Sequence, residues 1–281
     1  MKKVNEKNSR ELGLEFASIC GKHFLKLDQL HYGYWSSDLP VDILNLRKAQ
    51  EKYTDFLVSH IPAGARTILD VGCGTGQTAR RLIDMGFQVD CVSPSPFLSE
   101  QVRVLLGNTS HIFDCTYEQL DIENRYDVVM FSESFQYVHL DEAIKKTLRF
   151  LNPNGYMLIC DVFKTSSNRH CKMGGGHKLT QFYELMASAP FELIEDVDIT
   201  EQTVPSLDLL DDIMKKVVAP VLTESLTFLR GRYPLTVKLL CWKYKKKIKR
   251  TYEKYFNGQR RSDDFRMFKT YRLFLYRKQT I

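Results

Sequence analysis

Between residues 67 and 163 the chain alternates short β-rich apolar runs with longer stretches whose apolar residues recur on one helical face. That alternation predicts successive strand–helix–strand units in a parallel sheet, an α/β architecture. The predicted strands are TILDVG, FQVDCVS, SHIFDC, YDVVMFS and YMLICDVF, beginning at Thr67, Phe87, Ser110, Tyr126 and Tyr156. Helices are expected over 76–85, with Arg80 and Arg81 outward, and over 140–151, where the Asn152-Pro153-Asn154-Gly155 turn ends the second.

After Phe163 the polar, glycine-rich KTSSNRHCKMGGGHK reads as a mobile connection of the kind that sits beside an active site. A helix over 180–188 and two more strand-like runs, FELIEDVDIT and YRLFLYRK, complete the sheet at seven strands. Residues 205–265 between those two runs are mainly helical, basic and aromatic, and too long for a plain loop. They are expected to form a cap over the substrate side. The N-terminal 60 residues are also expected to be helical, with one interruption at HYGYW.

A chain of 281 residues with 43% apolar residues suffices for one large domain with a lid. The formal charge of +6 is local, because Lys and Arg crowd between Lys238 and Arg277. No apolar run approaches the roughly 18 residues that span a bilayer, and MKKVNEKNSRELG has no apolar core like that of a secretory signal. A soluble, cytoplasmic protein is expected. The seven cysteines form no C-x-x-C pair, and several sit in apolar runs, which points to reduced thiols. Cys171 lies near His170 and His177 without ligand spacing, so no metal is expected.

The main chemical signal is ILDVGCGTGQTAR: an apolar strand runs into Gly72, Gly74 and Gly76 and then a helix. Glycines let the backbone turn sharply and approach a ligand closely, and the helix N-terminus offers unpaired N–H donors. Such a turn also serves dinucleotides. Asp70, just before the first glycine, tilts the choice, since its carboxylate can face an ammonium group.

At these residues the sequence resembles the class I S-adenosylmethionine-dependent methyltransferases, over about residues 30–165. The branch it is most similar to contains natural-product sugar O-methyltransferases and tocopherol or quinol methyltransferases. The resemblance implies a Rossmann-like, mostly parallel seven-stranded sheet with helices on both faces. It also implies division into a helical segment at 1–60 over the cofactor, a core at 61–204, a basic helical lid at 205–265 and the final strand at 266–281. By match, Asp70, Gly72, Cys73, Gly74, Gly76 and Gln77 contact the methionine side of S-adenosylmethionine. Ser93 stands where relatives place the acid that binds the ribose, with Asp90 three residues early and pointing elsewhere. Asp114 and Cys115 match the pair that holds adenine, although a strand-end carboxylate is also commonplace. HYGYW resembles a segment whose aromatics close over the cofactor, making Tyr32 and Tyr34 candidate contacts; an aromatic corner of the core is the plainer alternative. Glu133 matches an acid bordering the methionine end.

Methyl transfer from a sulfonium requires alignment of nucleophile, methyl and sulfur, and sometimes loss of a proton. Related O-methyltransferases carry a histidine base where this chain has Gln136 and Tyr137. The candidate catalytic residues are therefore His139, His31 and Tyr137. The same departure argues against a cyclopropane synthase. In the lid, Leu226, Phe228, Leu229, Tyr233, Leu235, Leu239, Leu240 and Trp242 either line a hydrophobic pocket or pack a cap. Residues 238–261 carry ten Lys or Arg against the single acid Glu253. This stretch is a candidate surface for an anionic membrane or an acidic carrier domain, with a solvated face the plainer alternative. The leading expectation is methylation of a small hydrophobic, lipid-like or natural-product acceptor at oxygen, nitrogen or carbon, without DNA. An RNA or protein methyltransferase and a cofactor-binding protein with a non-methylating reaction stay open.

Overall fold

The computed structural model describes residues 13, 15, 18–165, 174–255 and 261–279. The strands are β1 (Thr67–Val71), β2 (Gln88–Val92), β3 (Ile112–Phe113), β4 (Tyr126–Ser132), β5 (Leu151–Lys164), β6 (His177–Lys178), β7 (Phe191–Asp198) and β8 (Lys269–Lys278). They form one sheet in the order β3-β2-β1-β4-β5-β8-β7, with β6 pairing beside β5. Only β8, between β5 and β7, runs against its neighbours.

The seven expected strands are present, and β6 is an eighth that two residues add. Sequence pattern misses it because His177 and Lys178 are polar and follow three glycines, with no apolar run to mark a strand. β5 begins at Leu151, and the Asn-Pro-Asn-Gly turn is an excursion within it, with Asn154 at φ +59°. The GGGHK part of the expected mobile connection is anchored: Gly176 N–H donates to Gln136 Oε1 and the His177 Nε2 lies 3.0 Å from Phe135 O. His170 and Cys171 lie outside the described residues.

The helices are α1 (Leu46–Ser59), α2 (Gln77–Asp84), α3 (Pro96–Leu106), α4 (Leu140–Phe150), α5 (Leu179–Ser188), α6 (Thr200–Thr203) and α7 (Pro205–Ile213). After a π turn at Met214–Val218 come α8 (Ala219–Arg232), α9 (Pro234–Lys243), α10 (Lys245–Tyr255) and α11 (Ser262–Phe268). Period-2 alternation sends successive residues of each strand to opposite faces. Ile68, Val128, Met130 and Leu158 pack with Tyr53 and Leu57 of α1 and Leu82 of α2. Leu69, Val129, Phe131 and Ile159 pack on the other face with Ala143 of α4 and Phe182 of α5. Each such fully buried side chain contributes about 1.5–3 kcal/mol. Ser95 caps α3 by accepting from Leu98 N–H, with Pro96 at its first position.

The N-terminal segment is less helical than expected, since residues 26–42 carry no helix and the break extends well beyond HYGYW. The insertion before β8 is helical, as expected. Of the eight lid residues named above as a possible pocket lining or cap, Leu226 is half-buried and the other seven are exposed. No helix among the described residues is long and apolar enough to cross a membrane.

Candidate active site

β1 is flanked by β2 and β4, and connections leave its two sides in opposite directions, so the sheet order reverses at the β1/β4 boundary. In open α/β sheets ligands bind outside the carboxyl ends of strands at this point. There the chain leaves Val71 and passes through Gly72, Gly74 and Gly76 at φ +76°, +56° and +81°. A Cβ on Gly72 would come within 2.5 Å of the Ser134 Cβ, whereas one on Gly74 would meet nothing within 4 Å. Gly72 is thus imposed by packing, and the Gly74 peptide is open. Ser134 locks the turn to β4 by donating to Val71 O.

Asp70 is 2% exposed, and its Oδ2 is buried without a hydrogen-bond partner. Burial pushes its carboxyl up to about 7. A lone buried carboxylate oxygen is costly unless a donor or cation meets it.

The N-terminal segment crosses this edge. Thr75 Oγ1 in the glycine turn donates to Asp28 O (2.5 Å), and four residues on Tyr32 N–H donates to Glu133 Oε1 (2.8 Å) at the end of β4. Gly33 N–H and Trp35 Nε1 both donate to Ser206 Oγ of α7 at 2.9 Å, and Tyr34 N–H donates to Ala49 O of α1. Tyr34 stacks on Phe56 at 5.1 Å. HYGYW is therefore a knot joining the glycine-turn side, β4, α1 and α7.

Glu133 adopts φ +54° and is half-buried, with desolvation raising its pKa to about 7. The Tyr271 hydroxyl donates to its Oε1 at 2.7 Å and lies 3.0 Å from the Tyr53 hydroxyl. Burial raises both phenols well above the usual tyrosine range. Nearby, Asp161 is fully buried and raised to about 7 by desolvation; it accepts from Gln136 N–H (2.9 Å) and Gln136 Nε2 (2.8 Å). Gln136 thus serves as a donor to a buried carboxylate. Tyr53, Tyr271, Asp161 and Ser206 are absent from the sequence reading, because only sheet register (Tyr271 opposite Val162) and tertiary packing bring them to the site.

The remaining sequence candidates fall in three groups. Ser93 is buried at the end of β2, and its Oγ accepts from Ser95 N–H at 3.3 Å; Asp90 turns away to Tyr126 and His111, as expected. Cys73 is buried and Gln77 opens α2, both within the turn. Asp114 lies at the exposed end of β3 in an ion pair with Arg103, with Cys115 half-buried beside it. His31 stacks on Tyr53 at 4.3 Å, its Nδ1 lies 2.8 Å from Tyr32 O, and its Nε2 lies 3.4 Å from Thr54 Oγ1. Burial lowers its pKa to about 4, so it is neutral and held on both sides. Tyr137 and His139 are exposed on the connection into α4, where the His139 N–H donates to Glu118 Oε1. The structure therefore gathers Asp70, the glycines, Tyr32 and Glu133, and leaves Asp114, Tyr137 and His139 at the surface.

A glycine turn at the β1/β4 reversal, in a sheet whose antiparallel β8 lies between β5 and β7, is the class I methyltransferase fold. Residues 69–159 match the family model described as a methyltransferase domain. A methyltransferase of Mycobacterium tuberculosis is 33% identical over 96 residues, 34% of this chain and 39% of the relative. The chain thus spans about two fifths of the length of that relative. The ubiquinone biosynthesis O-methyltransferase of Rickettsia akari is 25% identical over 202 residues, 65% of this chain and 80% of the relative. Among solved structures, geranyl diphosphate C-methyltransferase from Streptomyces coelicolor shares the fold with a TM-score of 0.67 at 15% identity, covering 96% of this chain and 98% of that one. The (4+2)-cyclase SpnF shares it with a TM-score of 0.66 at 20% identity, covering 96% of each chain.

Proposed function

We propose that the chain binds S-adenosylmethionine between the ends of β1 and β4 and transfers its methyl group to a small, hydrophobic or lipid-like acceptor at oxygen, nitrogen or carbon. Asp70 carries this reading: its buried, unpartnered Oδ2 two residues before the glycine turn suits an ammonium group. The turn beside it presents peptide N–H groups for a carboxylate. An amino acid is thereby recognised at both ends.

In this reading Asp70, Gly72, Cys73, Gly74, Gly76 and Gln77 hold the methionine end, with Tyr32, Tyr34 and Glu133 closing over it. Ser93 meets the ribose. Arg103 already engages Asp114, so the Cys115 peptide carries more of the adenine contact. When bound, the cofactor supplies a methyl group that is already activated. The protein's work is then alignment and exclusion of water, which the Tyr32–Glu133–Tyr271 bridge across the crevice supports. His31, with both ring nitrogens engaged, is a packing ring in this scheme. Where an acceptor must lose a proton, His139 and Tyr137 on the exposed side of the site are the proposed acceptors.

The division into a covering segment at 1–60, a core at 61–204, a lid at 205–265 and a closing strand at 266–281 belongs to the same proposal. Gln202 of α6, just before the lid, and Ser206 of α7 at its start both hydrogen-bond the HYGYW knot. A cytoplasmic location and independence from metal are also proposed. The test is incubation with methyl-labelled S-adenosylmethionine and extracts of hydrophobic metabolites: label in an organic-soluble product supports the reading. A second reading, a non-methylating reaction in the same pocket, draws on Gln136 standing in place of the histidine base and bonded to Asp161. It predicts cofactor binding with no release of S-adenosylhomocysteine.

A further inference from the structure

Beyond Met214–Val218 the chain builds α8, α9 and α10, which pack mainly on one another. On α9, Leu235, Leu239 and Trp242 are spaced i, i+4 and i+7, so they share one face. They are 82%, 61% and 76% exposed, whereas Val237 on the opposite side is buried at 8%. α10 repeats the arrangement. Tyr244, Ile248 and Tyr252 fall at i, i+4 and i+8 and are exposed. Lys245, Lys247 and Lys249 flank that stripe, and Lys246 and Arg250 fall on the far side of the helix. α8 adds exposed Val221 and Phe228, seven residues apart. Over 219–255 there are ten Lys or Arg against two acids, Glu224 and Glu253.

We propose that the helical arm 219–255 is a membrane-docking surface that lies on a bilayer rich in anionic lipid, inserting Leu235, Leu239 and Trp242 while its cations meet the headgroups. The proposal goes beyond methyl transfer and stands whether or not the chain transfers a methyl group. Two observations select lipid over other occupants. A nucleic acid or an acidic carrier would meet the lysines but leave the leucines, Phe228 and Trp242 in water. A second copy of the same arm would cover the apolar faces but crowd two sets of cations together. An interfacial helix with aliphatic and aromatic residues on one face and Lys and Arg beside it satisfies both surfaces at once. These helices are 14, 10 and 11 residues long, and none qualifies as a span, so the arm lies on the membrane and does not cross it.

The chain has two tryptophans, and Trp35 is buried, so exposed Trp242 is a built-in reporter. The test mixes the full chain with phosphatidylcholine vesicles, with and without about one quarter phosphatidylglycerol. Sedimentation with the anionic vesicles, together with a blue shift of emission that Trp242→Phe removes, is the expected result. The Leu235→Ser/Leu239→Ser/Trp242→Ser variant should lower vesicle partitioning by about tenfold or more without lowering the melting temperature. Replacing Lys245, Lys247 and Lys249 with Gln should abolish the preference for anionic over neutral vesicles. Three results would each overturn the proposal: no sedimentation at low salt, sedimentation unaffected by the apolar triple variant, or light scattering that shows a dimer which this variant converts to a monomer. Salt-sensitive retention on RNA without vesicle binding would likewise overturn it, in favour of a nucleic-acid partner.

Discussion

Tyr271 and Glu133 stand 138 residues apart in sequence and meet through a 2.7 Å hydrogen bond inside the sheet's carboxyl edge. The same Oε1 of Glu133 also accepts from Tyr32 N–H. One carboxylate oxygen thus ties the N-terminal segment and the last strand to β4. Tyr271→Phe removes one of those two donors and leaves the Tyr53 hydroxyl with Ser132 Oγ and Cys160 O as its remaining partners. The expected loss is about 1–3 kcal/mol in denaturant unfolding. Weaker cofactor binding should accompany it, and a variant with parental stability would show that the bond does not hold the segments together.

The glycines divide by cause. Gly72→Ala would place a Cβ 2.5 Å from Ser134 Cβ at φ +76°, so overpacking and backbone strain add. A destabilisation of about 2–4 kcal/mol is expected. Gly74→Ala at φ +56° meets nothing within 4 Å. It should cost only about 1–2 kcal/mol of stability while weakening cofactor binding more than Gly72→Ala does relative to its stability loss. Parallel unfolding and binding curves separate the two, and equal profiles would contradict the assignment.

Asp70 and Asp161 have folded-state pKa values pushed from an ordinary 3.8 up to about 7 by burial. The native state therefore binds more protons than the unfolded state between those values. The stabilisation is fully present below the unfolded pKa and is lost as pH rises through about 7. The upper bound is on the order of 4 kcal/mol per group. Free-protein stability should fall from pH 5 to pH 8, and Asp70→Asn should flatten the slope. If Asp70 receives an ammonium group as a carboxylate, cofactor binding below pH 7 should release a proton. Calorimetry in buffers of different ionisation enthalpy measures that proton directly.

The two histidine candidates should behave oppositely. His31 stacks on Tyr53, and both its ring nitrogens are near polar protein atoms, so His31→Ala should lower the melting temperature and stability by about 2–4 kcal/mol. His139 is exposed at the start of α4, and His139→Ala should leave stability within about 0.5 kcal/mol. A fall in turnover with unchanged cofactor affinity in the second variant would make His139 the proton acceptor.

The sheet was legible in the sequence because β1, β2, β4 and β5 each carry an alternating or largely apolar run. The glycine turn was legible for the same local reason. The network behind it was not: Tyr271, Tyr53 and Asp161 lie on three elements whose meeting depends on β8 entering between β5 and β7. His31 reads in sequence as a candidate base, but packing against Tyr53 decides its charge. In the lid, apolar composition suggested a lined pocket or packed cap, yet composition does not say which face meets the core. The structure turns Leu235, Leu239 and Trp242 outward.

The measurement that bears most directly on the central claim is calorimetric titration of the full chain with S-adenosylmethionine and, separately, with S-adenosylhomocysteine, repeated on Asp70→Asn. Binding of both ligands, with affinity lowered at least about tenfold by the Asn variant, is the predicted result. A folded protein that binds neither ligand would contradict the account and assign the glycine turn to something else.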